Sequence, residues 1–280
     1  MANQSKLNVP KSASDLPVWD LSDLYDGLES ADLKRDLKSA EDMAVAFASD
    51  FAGKLEELSP DNFGEAIRRF EYVSESLSRI MSYAQLLFSI NSEDSKVAAF
   101  YQNMSEQVTA VSAKTLFFEL EINRLEDNDI GSFLSSTGVM RYKPWLDRVR
   151  IYKSFQLSNS LETLLHEKSV TGRGAWSRLF DETMAGLRFK LHGRQLTSSE
   201  ITTRMSDPNE ATRKAASKAF AKGLEDNIRL FALVTNTLAK DKEIEDTWRT
   251  LPRPVSSRNL SNQVEDEVVD ALSHAVRSAY

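Results

Sequence analysis

The 280-residue chain contains no cysteine. This absence excludes disulfides, thiolate zinc sites and cysteine nucleophiles, and it agrees with a reducing compartment. Only three histidines are present, at positions 166, 192 and 274, so a metal site within this chain would be hard to assemble. No apolar run approaches the length of a membrane span, and the polar start lacks the apolar core of a signal peptide. We therefore expect a cytoplasmic protein.

Glycine and proline are also scarce, with ten and seven residues, which favours long helices over sheets and turns. The apolar share of 41% and the charged share of 28% are typical of a globular protein. The formal net charge of −7 provides no global basic field to attract nucleic acid or an anionic membrane. We expect neither as a partner.

Two long amphipathic segments follow one another between residues 59 and 125. Ser59 is predicted as the N-cap of the first, with Pro60 at its first helical position. The polar stretch NSEDS separates the two segments, each of about 28 residues or roughly 42 Å of helix. They are predicted to form an antiparallel hairpin. Apolar residues recur at three- and four-residue steps at Phe63, Ile67, Phe70, Val73, Leu77, Ile80, Ala84 and Leu87, then at Val97, Tyr101, Met104, Val108, Val111, Phe118, Ile122 and Leu125.

Shorter elements are predicted around this hairpin. A helix is expected from about 30 to 58, and several short ones between 128 and 159. The alternation in LRFKLHGRQLT predicts a strand pair with His192-Gly193 as its turn, and TSSEI after it is a capping signal. Asn159, with Glu162 three residues on, is predicted as an N-cap. A further helix is predicted to turn Trp176, Leu179, Phe180 and Met184 inward. Asp207 is predicted as the N-cap of a helix that passes Gly223 towards Thr247 with a bend.

The predicted fold class is therefore predominantly all-α, with long antiparallel helical hairpins and one small β-hairpin near 187–197. We divide the chain into four parts on this pattern. These are a mobile N-terminal tail at 1–16, an N-terminal helical domain at 17–127, a second helical part with the β-hairpin at 128–248, and at 249–280 a connector that leads into the start of a further domain.

The stretch LLHEKSVTG contains the first half of a zinc-peptidase signature. The HExxH motif needs two imidazoles four residues apart on one helix face, with the glutamate as general base. The fourth position after His166 is Val170, which cannot bind a metal. His166 and Glu167 are therefore interpreted as a solvated pair near a helix end.

Other candidate catalytic groups are equally isolated. The acidic pairs Glu56-Glu57 and Asp181-Glu182 are typical of solvated helix faces, and His192 and His274 have no predicted partner. A phosphate-binding glycine loop and a G-x-S-x-G elbow are both absent from the sequence. We predict no catalytic, cofactor-binding or metal-binding residue in this chain.

The connector RTLPRPVSSRNLSNQ holds three arginines and supports two interpretations. It is either an ordered linker between domains or a segment lining a cleft. In the second case Arg253 or Arg258 would hold a carboxylate by bidentate hydrogen bonds. An apolar stripe through Val264, Val268, Leu272 and Val276 follows and runs to the last residue without a helix stop signal. The stripe leads us to expect a truncated chain.

Four segments resemble the N-terminal half of oligoendopeptidase F-like zinc metallopeptidases, relatives of the thimet oligopeptidases. They are WDLSDLY at 19–25, LSNSLETLLHEKSVTGRGAWSRLFDE at 157–182, RKAASKAF at 213–220 and RPVSSRNLSNQVEDEVVDAL at 253–272. The resemblance covers nearly the whole chain from Pro17, and it rests on the order and spacing of these segments.

The resemblance implies a mostly helical protein with a deep channel and hydrolysis of short peptides. It also implies that zinc, the HExxH motif and the third zinc ligand belong to a downstream catalytic domain, in cis or in a separate chain. The expected function is an N-terminal scaffold that confines short peptides and is inactive alone. The alternative is a stand-alone helical module that binds peptides or a partner helix without catalysis.

Overall fold

A computed structural model of the chain describes residues 19–280, so the predicted tail at 1–16 lies outside the described residues. The described part is helical apart from one two-stranded hairpin, which confirms the predicted fold class. The helices are α1 Ala31–Phe51, α2 Pro60–Ile90, α3 Ser95–Ala113, α4 Phe117–Arg124, α5 Asp127–Phe133, α6 Thr137–Met140, α7 Lys143–Arg150, α8 Asn159–Lys168, α9 Arg173–Gly186, α10 Ser198–Arg204, α11 Glu210–Asp226, α12 Ile228–Trp248, α13 Ser256–Ser261 and α14 Asp266–Ala279. The strands are β1 Phe189–Leu191 and β2 Arg194–Leu196. None of the helices in this described part is long and apolar enough to cross a membrane.

Helices α1, α2 and α3 pack side by side, and α2 and α3 form the predicted hairpin. Ser59 is the N-cap of α2, because its hydroxyl accepts a hydrogen bond from the Asn62 N–H at 3.3 Å. The helix expected from 30 to 58 ends earlier, at Phe51. Gly53 stops it by adopting a φ of +74° and by donating its N–H to the Glu121 carboxylate at 2.9 Å.

The second long helix predicted to end near Leu125 is divided into α3 and α4, so that prediction was wrong at this point. Between them the amides of Lys114, Thr115 and Phe118 each bond to a carbonyl three residues back, which tightens the chain into a turn. The buried Thr115 hydroxyl also donates to the Ser112 carbonyl at 3.0 Å. The turn redirects α4 so that its buried Phe118 and Ile122 join the core.

An aromatic cluster forms the centre of that core. Fully buried Phe118 lies with its ring centroid 5.1 Å from Phe47 and 5.2 Å from Phe70. Phe63 stacks on Phe133 at 4.2 Å, so the rings come from α1, α2, α4 and α5. Edge-to-face and offset ring contacts of this kind stabilise a core beyond the area they bury. This cluster therefore joins the first two helices to the short ones that follow.

A second, smaller core lies under the β-hairpin. Phe189 pairs with Leu196 across the antiparallel strands, and the turn residues His192 and Gly193 both have positive φ, at 49° and 81°. Thr197 and Glu200 form a capping box at the start of α10. The predicted hairpin, its turn and the capping signal after it are confirmed. The buried members of this core are Phe189, Leu191, Leu196, Ile201 and Ala216.

Two helix starts differ from the predicted ones by one or two residues. The N-cap before α11 is Asn209 instead of Asp207, because the Asn209 side chain accepts from the amides of Ala211 and Thr212. The Asp207 carboxylate accepts from the Asn209 amide, which lies before the first turn of the helix. The N-cap of α8 is Ser158 instead of Asn159. The helix expected to pass Gly223 is interrupted at Asn227, whose side chain donates to the Gly223 carbonyl at 3.1 Å.

The inward face predicted for α9 is only partly correct. Trp176 and Met184 are half-buried, but Leu179 and Phe180 are exposed. Helix α9 packs mainly against α12, where the Phe180 ring meets the Phe231 ring edge to face at 5.6 Å. One helical neighbour is not enough to cover the whole apolar side of α9.

Gly223 in α11 lets the Phe189 ring approach the helix backbone. A Cβ at this position would lie 2.6 Å from Phe189 Cε1, whose ring is buried in the smaller core. We expect Gly223→Ala to lower the free energy of unfolding by about 1–3 kcal/mol because the core becomes overpacked. In urea unfolding, Gly131→Ala is the matched control: Gly131 also lies in a helix but has nothing near its Cβ position, so it should be neutral or stabilising. A stabilised Gly223→Ala variant would contradict the close packing.

Candidate functional site: a charged cleft

A cleft of about 960 Å³ lies between two groups of helices. One wall comes from α4, α7 and the start of α8, and the other from α9, α12 and α13. Its volume lies within the range of small-molecule and peptide sites. Apolar floor residues such as Leu120 and Val149 alternate with charged residues of both signs. The cleft therefore combines charged and apolar groups that a polar ligand with apolar parts could contact.

Arg249, the first arginine of the connector, is held in this cleft by two carboxylates. Its Nη1 and Nη2 donate to the Glu162 oxygens at 2.7 and 2.9 Å, and its Nε donates to Glu245 at 2.8 Å. Glu162 also accepts from the Leu157 N–H at 2.8 Å. This network ties the end of α12 to α8 across 87 residues of sequence. It is a structural clamp that leaves Arg249 no free donor pair for a ligand carboxylate.

The pKa of Glu162 reflects this environment. Burial raises it, but the hydrogen bonds from Arg249 and from the Leu157 amide, with the Arg249 charge, lower it more, so the pKa lies below its ordinary value. Glu119 on α4 behaves differently: burial raises its pKa, and the charge of Arg148 only partly opposes that rise. The cleft therefore contains one carboxylate that is firmly ionised and one that protonates more readily.

Three arginines in the cleft walls have no hydrogen bond or ion pair from their side chains to other residues within 19–280. They are Arg148, Arg173 and Arg258. Among the other lining cations, Arg249 is bound as described and Lys242 pairs with Asp246. Free guanidinium groups in a concave wall attract anions, because the low-dielectric surroundings focus their field.

The connector arginines that the sequence singled out lie in different places. Arg253 donates to Asp270 at 2.7 and 3.0 Å and pairs with Asp266 at 3.3 Å, so it pins α14 to the connector. Arg258 faces the cleft on α13. The cleft-lining interpretation therefore describes Arg258, and Arg253 is a structural ion pair.

The histidines stay apart from one another. His166 Nε2 lies 2.8 Å from Ser112 Oγ, so this half-buried ring links α8 to α3 and is less solvated than the sequence suggested. His192 and His274 are exposed, as is Glu167. Nowhere in residues 19–280 do three or more His, Cys, Asp or Glu side chains meet in a group that could hold a metal ion. The described residues do not fit a zinc ion.

Sequence reasoning missed Arg249, Glu162 and Glu119 as members of one site. A local signal existed only for Glu245 and Arg249, which are four residues apart on one helix face. Glu162 was noted only as a capping residue of α8. The remaining pairings depend on how distant helices pack.

The fold agrees with what comparison with known proteins finds. A model of an N-terminal peptidase family, described as oligopeptidase F, matches residues 121–189. The crystal structure of oligoendopeptidase-F from Enterococcus faecium superposes with a TM-score of 0.78 at 20% identity, covering 88% of this chain and 50% of that one. A putative peptidase from Chlamydophila abortus gives 0.58 at 15% identity, covering 93% of this chain and 44% of its own. Curated proteins gave no match.

These comparisons show the fold of the chain. The chain spans about half the length of the solved structures it matches. It has the architecture of the N-terminal portion of an oligoendopeptidase F-like peptidase, which confirms the resemblance predicted from the sequence.

Proposed function

We propose that this chain is the N-terminal scaffold of a cytoplasmic, oligoendopeptidase F-like zinc metalloendopeptidase. In this role the chain forms part of the wall of the channel in which short peptides are held for hydrolysis. The catalytic zinc and its HExxH motif belong to a downstream catalytic domain, in cis or as a separate chain. The observation that carries the proposal is the structural match of 88% of this chain to half of an oligoendopeptidase-F.

The exposed apolar face of α14 supports a docked partner domain. Val268, Leu272 and Val276 recur every four residues and are 55%, 66% and 45% exposed. Trp248 at the end of α12 is also mostly exposed. A helix face of this kind costs free energy in water and marks an interaction surface when it is contiguous. The catalytic domain is the partner that the proposal assigns to it.

The proposal predicts that the purified 280-residue chain neither retains zinc nor cleaves peptides. The physical reason is that its three histidines are dispersed and cannot supply the ligands of one tetrahedral site. Zinc content is measured by mass spectrometry after dialysis against buffer with trace zinc, and cleavage is measured with an internally quenched fluorescent nonapeptide. Oligoendopeptidase-F from Enterococcus faecium is the positive control. One zinc per chain together with cleavage would overturn the proposal.

A further inference from the structure

We propose that Arg258 anchors the free C-terminal carboxylate of a short peptide in the cleft. The inference rests on the proposed function and adds the chemical group that is recognised and the residue that recognises it. The chain would then recognise the C-terminal end of a peptide in addition to forming part of the channel wall. Four observations on the cleft carry it.

The first observation is that Arg258 has a free fork of donors. Arg258 is an exposed residue that lines the cleft, and its guanidinium makes no hydrogen bond or ion pair within the described residues. The nearby connector arginines differ, since Arg249 is saturated by Glu162 and Glu245 and Arg253 by Asp266 and Asp270. A planar guanidinium with unused parallel N–H groups is suited to bind a carboxylate bidentately.

The second observation is that the backbone under Arg258 is held rigidly. Ser256 and Asn259, its neighbours on α13, are each only 5% exposed. The Asn259 amide donates to Asp266 at 2.7 Å, and the Asn259 carbonyl accepts from the Val264 N–H at 3.1 Å. Arg258 thus stands on a backbone whose neighbouring residues are buried and hydrogen-bonded, so a bound carboxylate would have to order the side chain but not the backbone.

The third observation is the second free cation of the cleft, Arg173, at the first position of α9. Arg148 on α7, in the other wall, is the third such cation. Guanidinium groups without partners are places where an anionic ligand group can bind.

The fourth observation is that the cleft also offers a free carboxylate. Asp241 on α12 lines it and makes no ion pair within residues 19–280. The walls therefore present unsatisfied charge of both signs above apolar residues such as Leu120 and Leu238. This combination suits a short zwitterionic peptide better than a purely anionic or apolar ligand. The carboxylate is the group assigned to Arg258.

The test compares two peptides that differ only at the C-terminus. The pentapeptide AAFAA is used as the free acid and as the C-terminal amide, and each is titrated into the full chain by isothermal titration calorimetry. A bidentate, charge-assisted pair is expected to make the acid bind at least about tenfold tighter than the amide. Arg258→Gln is expected to bring the acid down to the affinity of the amide and to leave the amide unchanged. Arg258→Lys keeps the charge without the fork and is expected to retain only part of the preference.

The matched control is Arg229→Gln, which makes the same charge change on an exposed arginine of α12 that does not line the cleft. It is expected to keep the full preference for the acid. Equal binding of acid and amide by the unchanged chain, binding of neither, or a preference that survives in Arg258→Gln would each overturn the inference. None of these results bears on zinc or cleavage, so the proposed function fails only by its own test.

Discussion

Replacing Phe118 by alanine is expected to lower the free energy of unfolding by about 3–5 kcal/mol, enough to leave a marginal domain partly unfolded. Phe118 is fully buried at the meeting point of the rings of Phe47, Phe63 and Phe70. Alanine removes the ring and leaves a cavity that helices α1, α2 and α4 cannot close without moving. Urea unfolding is monitored by circular dichroism. The shift of the midpoint gives the change in the free energy of unfolding, provided that the dependence of this free energy on urea concentration is unchanged.

Tyr72→Ala is the control for this prediction. Tyr72 is also an aromatic residue of the α1–α4 bundle, but it is 56% exposed on α2 and outside the aromatic cluster. Its replacement is expected to change the free energy of unfolding by no more than about 0.5 kcal/mol. If both variants lost the same stability, the cluster around Phe118 would not be the centre of the core.

The same residue shows how far the sequence predicts the fold. Phe118 belongs to an apolar stripe that was read correctly, because three- and four-residue spacing on a helix is a local property. The break in front of it at Thr115 was not predicted. The break is a turn that brings α4 against aromatic rings of α1 and α2. The turn is therefore stabilised by contacts with residues that are distant in the sequence. Local pattern thus predicts which face is apolar, while tertiary packing decides where a helix ends.

The cleft was less predictable than the fold for a related reason. The connector was identified as a candidate cleft wall from its composition, and Arg258 does line the cleft. Choosing between Arg253 and Arg258 required the position of Asp270, which sits on a helix 17 residues further on. Glu162 and Arg249 are 87 residues apart, so no spacing rule connects them. Charges that pair across a packed cleft have no signature in a single sequence.

Arg249→Ala is expected to lower the free energy of unfolding by about 2–4 kcal/mol at pH 7, because it leaves the Glu162 carboxylate buried without a counter-charge. Only 20% of the Arg249 side chain and 13% of the Glu162 side chain are exposed, so water can compensate little. Arg253→Ala breaks a bidentate pair with Asp270 that is largely exposed to water, and its loss is expected to cost much less than that of Arg249. Urea unfolding of both variants compares the free energy lost with the buried Arg249–Glu162 pair and with the exposed Arg253–Asp270 pair.

The pH dependence of the destabilisation by Arg249→Ala tests whether the Glu162 carboxylate causes it. The folded-state pKa of Glu162 lies below the model-compound value of 4.5, so the clamp contributes its full stability above that pH and loses it as the pH falls through the folded pKa. In Arg249→Ala only burial and the Leu157 amide act on Glu162, and its carboxyl then protonates at a higher pH. The destabilisation by Arg249→Ala is therefore expected to be full at pH 7. It should shrink as the pH falls, first through the raised pKa of Glu162 in the variant and then through its lowered pKa in the unchanged chain. A difference that stays constant down to pH 3.5 would mean that Arg249 acts through packing of its side chain, with the carboxylate playing no part.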